Sequence, residues 1–173
     1  LAKLYALQKD QVNARKYAEK CVELNPDMQE FREFLIDICG SEKDYTALNE
    51  HLEYFIKTGA YDESYYFRLA RSYRQMGSFK DAIDILDKLQ DKTGYKKEIG
   101  KAKALVYQQQ RNKRRLIKEL DLLEKSFPDD TDVLIQKATM LQSQGEHEKA
   151  MVTFQKLLLL DPDNRAASQN IIR

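Results

Sequence analysis

The sequence contains no tryptophan, three prolines, six glycines and two cysteines among 173 residues. A chain so poor in turn-forming residues is not typical of a sheet protein, which needs many tight turns. Cys21 and Cys39 are too few for a disulfide framework and match no zinc-ligand spacing. These absences favour a reducing compartment, and the cytoplasm is the expected location, with a bacterial periplasm as the alternative.

The sequence also has no marked excess of charge of one sign, because 29 Lys and Arg nearly balance 28 Asp and Glu. The formal charge of +1 removes the general attraction to nucleic acid or anionic lipid that a basic domain would have. No apolar run is long enough to cross a bilayer, since the longest, Leu157 to Leu160, makes one helical turn. The chain starts at Leu1 without a methionine, so we interpret it as a fragment of a longer protein.

A repeat of 34 residues is the strongest pattern in the chain. Pro128 and Pro162 lie 34 residues apart, and Pro26 lies three such periods before Pro128. Four mostly apolar columns follow the same period: Ala2, Ile36, Ala70, Ala104, Ala138; Tyr5, Cys39, Tyr73, Tyr107, Leu141; Ala14, Leu48, Ala82, Leu116, Ala150; and Cys21, Phe55, Leu89, Leu123, Leu157. Such a period predicts a stack of supersecondary units, each of which hides its apolar face against the next.

Each period predicts two helices. Apolar residues recur at helical spacing in the first, as in Tyr66, Leu69 and Tyr73, and again in the second after a turn at Gly77 or Gly145. Helices are expected near 1–8, 11–24, 27–39, 44–58, 62–76, 79–92, 95–110, 113–126, 130–144 and 147–160, with a last one near 163–172 that packs Ile171 and Ile172 on the preceding hairpin.

These offsets resemble the tetratricopeptide repeat. The third period matches best, through Tyr66, Leu69-Ala70, Tyr73, Gly77-Ser78-Phe79 and Ala82. The second and fourth depart from the pattern, because Lys43 and Arg111 replace the turn glycine and Ala60 and Gly94 replace the boundary proline. The resemblance implies an all-α fold, a right-handed superhelical solenoid of antiparallel helix pairs. One domain over 1–173 is expected, with repeats at 1–28, 29–62, 63–96, 97–130 and 131–164 and a C-terminal helix at 165–173.

The resemblance also implies a binding function, with the first helix of each pair lining a concave groove that holds a partner peptide or helix. Arg68, Arg71 and Arg74 follow three-residue steps and should form one strip that binds acidic groups. The predicted contacts are Phe67, Arg68, Arg71, Arg74, Gln75, Lys101 and Gln108. The opposing interpretation is that the arginines pair with Glu33 and Asp37 and bind nothing. The lysines and asparagines of the carboxylate clamp that holds chaperone tails are missing.

Catalysis, metal binding and cofactors are not expected. No phosphate loop, nucleophile elbow or metal-binding helix motif is present, and His51 and His147 are interpreted as solvated or capping residues. The acidic series Asp81, Asp84, Asp87 is interpreted as a solvated stripe, and the two cysteines as buried core residues. Two further clusters could recruit partners: the aromatic group Tyr61, Tyr65, Tyr66, Phe67 and the basic turn Arg111, Lys113, Arg114, Arg115.

The predicted function is therefore a non-enzymatic scaffold for protein–protein interaction, whose partner is another protein. An RNA-binding helical-repeat module is the first alternative, although the acidic second repeat argues against a continuous basic groove. A regulatory array attached to an enzyme elsewhere in the protein is the second alternative. The partner and the oligomeric state do not follow from the sequence.

Overall fold

The computed structural model describes residues 1–59 and 62–171, and within these ranges the chain forms eleven α-helices and no strand. The helices are α1 (Ala2–Leu7), α2 (Gln11–Leu24), α3 (Gln29–Glu42), α4 (Tyr45–Thr58), α5 (Glu63–Gln75), α6 (Phe79–Thr93), α7 (Lys97–Gln109), α8 (Lys113–Ser126), α9 (Thr131–Ser143), α10 (His147–Leu160) and α11 (Arg165–Ile171). The all-α prediction is confirmed, and most predicted helix ends fall within two residues of the observed ones. None of the helices in the described ranges is long and apolar enough to cross a membrane.

Contacts group the residues into two compact units, unit 1 (Leu1–Ile85) and unit 2 (Leu86–Arg173). The division falls inside α6, which continues through it as one helix. Within each unit, helices that follow one another along the chain pack together, as α3 and α4 do in unit 1 and α9 and α10 in unit 2. Connections of a few residues make the paired helices antiparallel, which is the hairpin expected from the repeat.

The turn within each hairpin has one conformation whatever residue occupies it. The five equivalent positions all have positive φ: Lys9 at 59°, Lys43 at 59°, Gly77 at 78°, Arg111 at 58° and Gly145 at 77°. The second helix begins two residues later, and the residue between can cap it: Asp44 accepts a hydrogen bond from the Ala47 amide as the N-cap of α4. Replacement of glycine by Lys43 and Arg111 therefore leaves the turn geometry unchanged.

The core of unit 1 is built from the predicted columns and the aliphatic residues beside them. Leu35, Ile36, Leu52, Phe55 and Leu69 are all fully buried. The small column residues Ala2, Ala14, Ala70 and Ala82 are buried as well, which allows the helix backbones to approach closely. The small residues of these two columns are thus part of the core.

An apolar cluster in unit 2 runs from α7 to α11. Leu116, Leu120 and Leu123 of α8 face Val133 and Leu134 of α9 within it. The last helix joins the cluster through Ala167, which is fully buried. The predicted contacts of the Ile171 and Ile172 side chains lie outside the described residues.

Candidate functional site

Helix α5 carries the predicted arginine strip, and its three arginines differ in exposure and in their partners. Arg68 Nη2 donates to Asp37 Oδ1 of α3 over 2.8 Å, so this arginine is neutralised as the opposing interpretation expected. Arg71 is exposed and has no ion-pair or hydrogen-bond partner among residues 1–59 and 62–171. Arg74 is half-buried. Arg71 is therefore the member of the strip best placed to receive an anion.

The aromatic cluster beside the strip is less available than expected. Tyr65 is buried, its ring stacks on Phe55 with centroids 4.8 Å apart, and its hydroxyl donates to Glu33 Oε1 over 2.8 Å. Burial, together with the Glu33 carboxylate, raises the pKa of Tyr65 to about 12. The expectation that Tyr65 offers a surface contact is wrong, because its ring is part of the core. Phe67 is half-buried, and Tyr61 lies outside the described residues.

A cavity of about 250 Å³ opens beside Arg71 in unit 1, and residues of α3, α4 and α5 line it. Its lining consists of Gly40, Tyr45, Leu48, Arg68, Arg71, Ser72 and Gln75. Two predicted binding residues besides Arg71 thus border it, since Arg68 and Gln75 belong to the same lining. No acidic side chain contributes to it.

Ser72 is the unexpected member of this lining. Its side chain is 1% exposed, and its Oγ has no hydrogen-bond partner within the described part of the chain. A buried hydroxyl left in this state costs about 1–3 kcal/mol relative to a satisfied one. The equivalent positions in three other repeats hold Ile38, Val106 and Met140, all of which are buried. A serine in an otherwise aliphatic column is the signal by which the sequence could have identified this residue.

The predicted contacts in unit 2 are engaged with α9. Lys101 Nζ lies 3.9 Å from Asp132 Oδ2, and Gln108 Nε2 donates to Ser143 Oγ over 3.4 Å. Lys97 Nζ bonds Asp130 Oδ2 over 2.6 Å on the same side of α7. This face of unit 2 therefore presents paired rather than free charges.

Unit 2 has a larger cavity, of about 480 Å³, between α8, α9 and α10. Lys137 of α9 borders it, and the ammonium donates to Asp121 Oδ1 over 2.6 Å and to Glu124 Oε2 over 2.7 Å. Burial opposes the charge on Lys137, but the two carboxylates outweigh burial and raise its pKa. The sequence analysis missed this bridge, because a lysine at a buried position looks like a surface residue until its partners are known.

The remaining candidates for chemistry do not form a site. His51 lies half-buried in the middle of α4, with Nδ1 buried and unpartnered within the described part, and burial lowers its pKa. The expectation of a solvated or capping His51 is therefore wrong, whereas His147 is exposed at the first position of α10. Cys39 is fully buried, and burial raises its pKa to about 11. Residues 1–59 and 62–171 contain no group of His, Cys, Asp and Glu that could hold a metal ion.

The residues of the basic turn before α8 differ in their contacts. Lys113 bonds Glu146 over 2.5 Å, Arg115 lies over the Tyr107 ring at 6.0 Å, and Arg111 forms the left-handed turn. Arg114 is exposed. Within the described residues, Lys113 and Arg115 of the turn are therefore engaged by neighbouring side chains, whereas Arg111 and Arg114 are exposed.

Comparison with known families agrees with the repeat assignment. A tetratricopeptide repeat model matches residues 1–28 and 131–164, and a second model of the same repeat matches residues 64–92. The matched segments together cover just over half of the chain. No curated protein matches the chain in sequence.

Solved structures with the same fold include YrrB, described as a TPR protein with an unusual peptide-binding site, at 14% identity and a TM-score of 0.63 over 97% of this chain and 87% of that one. MamA aligns at 15% identity and a TM-score of 0.69 over 94% of this chain and 95% of that one. A complex of Naa15 and Naa10 bound to HypK-THB aligns at 18% identity and a TM-score of 0.78 over 99% of this chain but 27% of that one. On its repeat matches, its stacked hairpins and these structural relatives, the chain belongs to the tetratricopeptide repeat family.

Proposed function

We propose that the chain binds an acidic segment of a partner protein on the α5 surface of unit 1, with Arg71 as the central contact. The observation that carries the proposal is the exposed Arg71 guanidinium, which has no partner among the described residues, at the edge of a cavity whose seven described lining residues include no acid. A guanidinium forms paired hydrogen bonds with a carboxylate, and such a charge-assisted pair is stronger than a neutral hydrogen bond. Acidic groups of a protein are the complementary ligand.

Tetratricopeptide repeat proteins generally mediate protein–protein interactions, and relatives of this kind are typically non-enzymatic. YrrB is described with a peptide-binding site, so the fold is able to present one. In the proposal, Phe67, Arg68, Arg74 and Gln75 surround Arg71 on unit 1, whereas Lys101 and Gln108 of unit 2 stay predictions from the sequence. Whether the surface serves a scaffold or a regulatory array of an enzyme, the chemistry of recognition is the same.

The RNA-binding alternative has less support. Asp37 neutralises Arg68, and Glu33 lies beside it at the Tyr65 hydroxyl, so carboxylates interrupt the basic strip on unit 1. Single-stranded nucleic acid instead needs a continuous basic groove with exposed aromatic rings.

The test is fluorescence anisotropy with a labelled, amidated peptide of Gly, Ser and Glu, and with a matched peptide in which Gln replaces Glu. The chain should bind the Glu peptide and not the Gln peptide, and Arg71→Ala should weaken binding about tenfold or more, because a charge-assisted bond contributes about 1.5–3 kcal/mol. Circular dichroism should show an unchanged fold, since Arg71 is exposed and bonds to none of the residues that the structure describes.

Arg114→Ala is the matched control, because Arg114 is also an exposed helical arginine but lies on unit 2. It should leave binding unchanged. Equal binding of both peptides, or no effect of Arg71→Ala, contradicts the proposal. Preferential binding of single-stranded RNA with a steep salt dependence would support the alternative.

A further inference from the structure

We infer that the cavity in unit 1 is a pocket for one glutamate side chain of the acidic partner, and that Ser72 donates a hydrogen bond to its carboxylate. This inference rests on the proposed function and names the group that the surface recognises. It turns Ser72, an otherwise unexplained polar residue of the core, into a residue that determines specificity.

The first argument is the state of the Ser72 hydroxyl. Ser72 belongs to the cavity lining, and its Oγ is buried without a hydrogen-bond partner within the described residues. The same column holds Ile38, Val106 and Met140, so an aliphatic residue would satisfy packing at this position. A ligand that accepts a hydrogen bond inside the cavity would remove the unfavourable state of the hydroxyl.

The second argument is the chemistry of the lining. Arg71, Ser72 and Gln75 all carry hydrogen-bond donors, and none of the seven lining residues is acidic. Asp37 already pairs with Arg68, so Arg71 supplies the positive charge that no described residue neutralises. An anionic acceptor is the complementary occupant.

The third argument concerns reach. Ser72 is 1% exposed whereas Arg71 is exposed, so a carboxylate that contacts both must enter the cavity while its backbone stays outside. A glutamate side chain has two methylene groups to span this depth, and Tyr45 and Leu48 provide apolar wall for them. Aspartate and a chain-terminal carboxylate have a shorter reach.

Gly40 provides a way to close the pocket without disturbing the fold. It lines the cavity, and a Cβ atom built on it would meet no atom within 4 Å. Its φ is ordinary for a helix, so any L residue is tolerated. Gly40→Leu therefore fills open space at the cavity.

The experiment compares binding of the amidated Gly-Ser-Glu peptide to the wild-type chain, Ser72→Ala and Gly40→Leu, with thermal unfolding measured in parallel. Each variant should bind about tenfold more weakly. Their melting temperatures should be unchanged or higher, because Ser72→Ala removes an unsatisfied hydroxyl and Gly40→Leu removes a helical glycine. In an NMR titration the Ser72 amide and the Arg71 side-chain Nε–H should shift together. The same peptide with Asp in place of Glu should bind several-fold more weakly.

Ser126→Ala, at an exposed helical serine on α8 of unit 2, is the matched control and should not change binding. If Arg71→Ala abolishes binding while Ser72→Ala and Gly40→Leu bind like wild type, the carboxylate stays at the surface, and the pocket is wrong although the proposed function stands. Equal affinity for the Asp and Glu peptides overturns the argument from reach. Absence of any binding by the wild-type chain overturns the proposed function itself.

Discussion

One position of the 34-residue repeat holds apolar side chains in unit 1 and charged side chains in unit 2. The column holds Leu35 and Leu69 in unit 1, both fully buried, and Lys103 and Lys137 in unit 2, both less than a tenth exposed. The lysines are not errors of packing, because each reaches back to acceptors on the second helix of the preceding repeat. Long aliphatic stems let them fill an apolar position while the ammonium groups find polar partners.

The bridges in unit 2 repeat with the period of the sequence. Lys103 bonds Asp87 and Gln90, each over 2.6 Å, and Lys137 bonds Asp121 and Glu124, which lie 34 residues further along. Unit 1 also has a carboxylate at the equivalent position, Glu53, but there it accepts the Tyr73 hydroxyl. The same contact between consecutive hairpins can therefore be stabilised either by apolar burial or by a lysine–carboxylate bridge.

The largest expected effect is on the leucine side of this comparison. Leu69→Ala removes a fully buried side chain and leaves a cavity, so the free energy of unfolding should fall by about 2–5 kcal/mol. Chemical denaturation monitored by circular dichroism measures the loss. Leu105→Ala on α7, where the side chain is 40% exposed, is the control and should cost less than about 1 kcal/mol. Similar losses in both variants would contradict the assignment of the column as core.

A second matched pair, the helical glycines of the two units, sharpens the comparison. Alanine at Gly100 would place its Cβ 2.3 Å from Tyr95 Oη and 2.6 Å from Leu123 Cδ2, so unit 2 should lose about 1–3 kcal/mol. Alanine at Gly40 meets open space and should add about 0.5–1 kcal/mol, because alanine is the better helix former. Thermal unfolding of the two variants should therefore shift in opposite directions. A shift of the same sign in both variants would show that helix propensity, rather than the space around the new Cβ atom, determines the change in stability.

The smallest expected effect is on the lysine side. Lys137→Met keeps an unbranched stem but loses both carboxylate bonds, and it should cost about 1–2 kcal/mol near neutral pH. The loss is limited because Asp121 is 61% exposed and can be rehydrated, and Glu124 keeps its bond to Lys156. Urea denaturation gives the difference, and a variant as stable as wild type would mean that the bridge contributes nothing net.

Acid should remove this difference. Burial raises the pKa of Glu124, but the bonds to Lys137 and Lys156 outweigh burial and hold the pKa below its ordinary value of 4.5. A carboxylate with a lowered pKa in the folded state stabilises the protein above its unfolded-state pKa, and this contribution is lost as the pH falls through the folded-state pKa. Wild type and Lys137→Met should therefore converge as the pH falls below 4.5 and through the lowered folded-state pKa of Glu124. A constant difference across this range would show that the lost contacts are apolar.

Much of the local structure could be predicted from the sequence. The helix α2, for example, begins and ends at the predicted residues, because a 34-residue period and helical apolar spacing are properties of the chain itself. The second-repeat turn at Lys43 was harder to predict, since a lysine costs free energy in a left-handed conformation and only the surrounding hairpin holds it there. The burial of Tyr65 was also hard to predict, because its stacking on Phe55 depends on a neighbouring helix.

The candidate site shows the same division. Arg71 could be selected from its position on α5, because the register determines which face of a helix is exposed. Ser72, on the buried face, was missed, because its importance lies in a hydroxyl that the fold leaves without a partner. Lys137 was missed because its partners lie on another helix.

The amino-acid order by itself determined that this protein is a series of helical hairpins. The 34-residue period and the helical spacing of apolar side chains are properties of the sequence, and they do not depend on tertiary contacts. Only the tertiary structure decided which charges are neutralised, so that Arg68 pairs with Asp37 whereas Arg71 has no partner in the described part of the chain. The reason is that a Coulomb interaction depends on distance across the packed helices, and the position of a residue along the chain does not specify that distance.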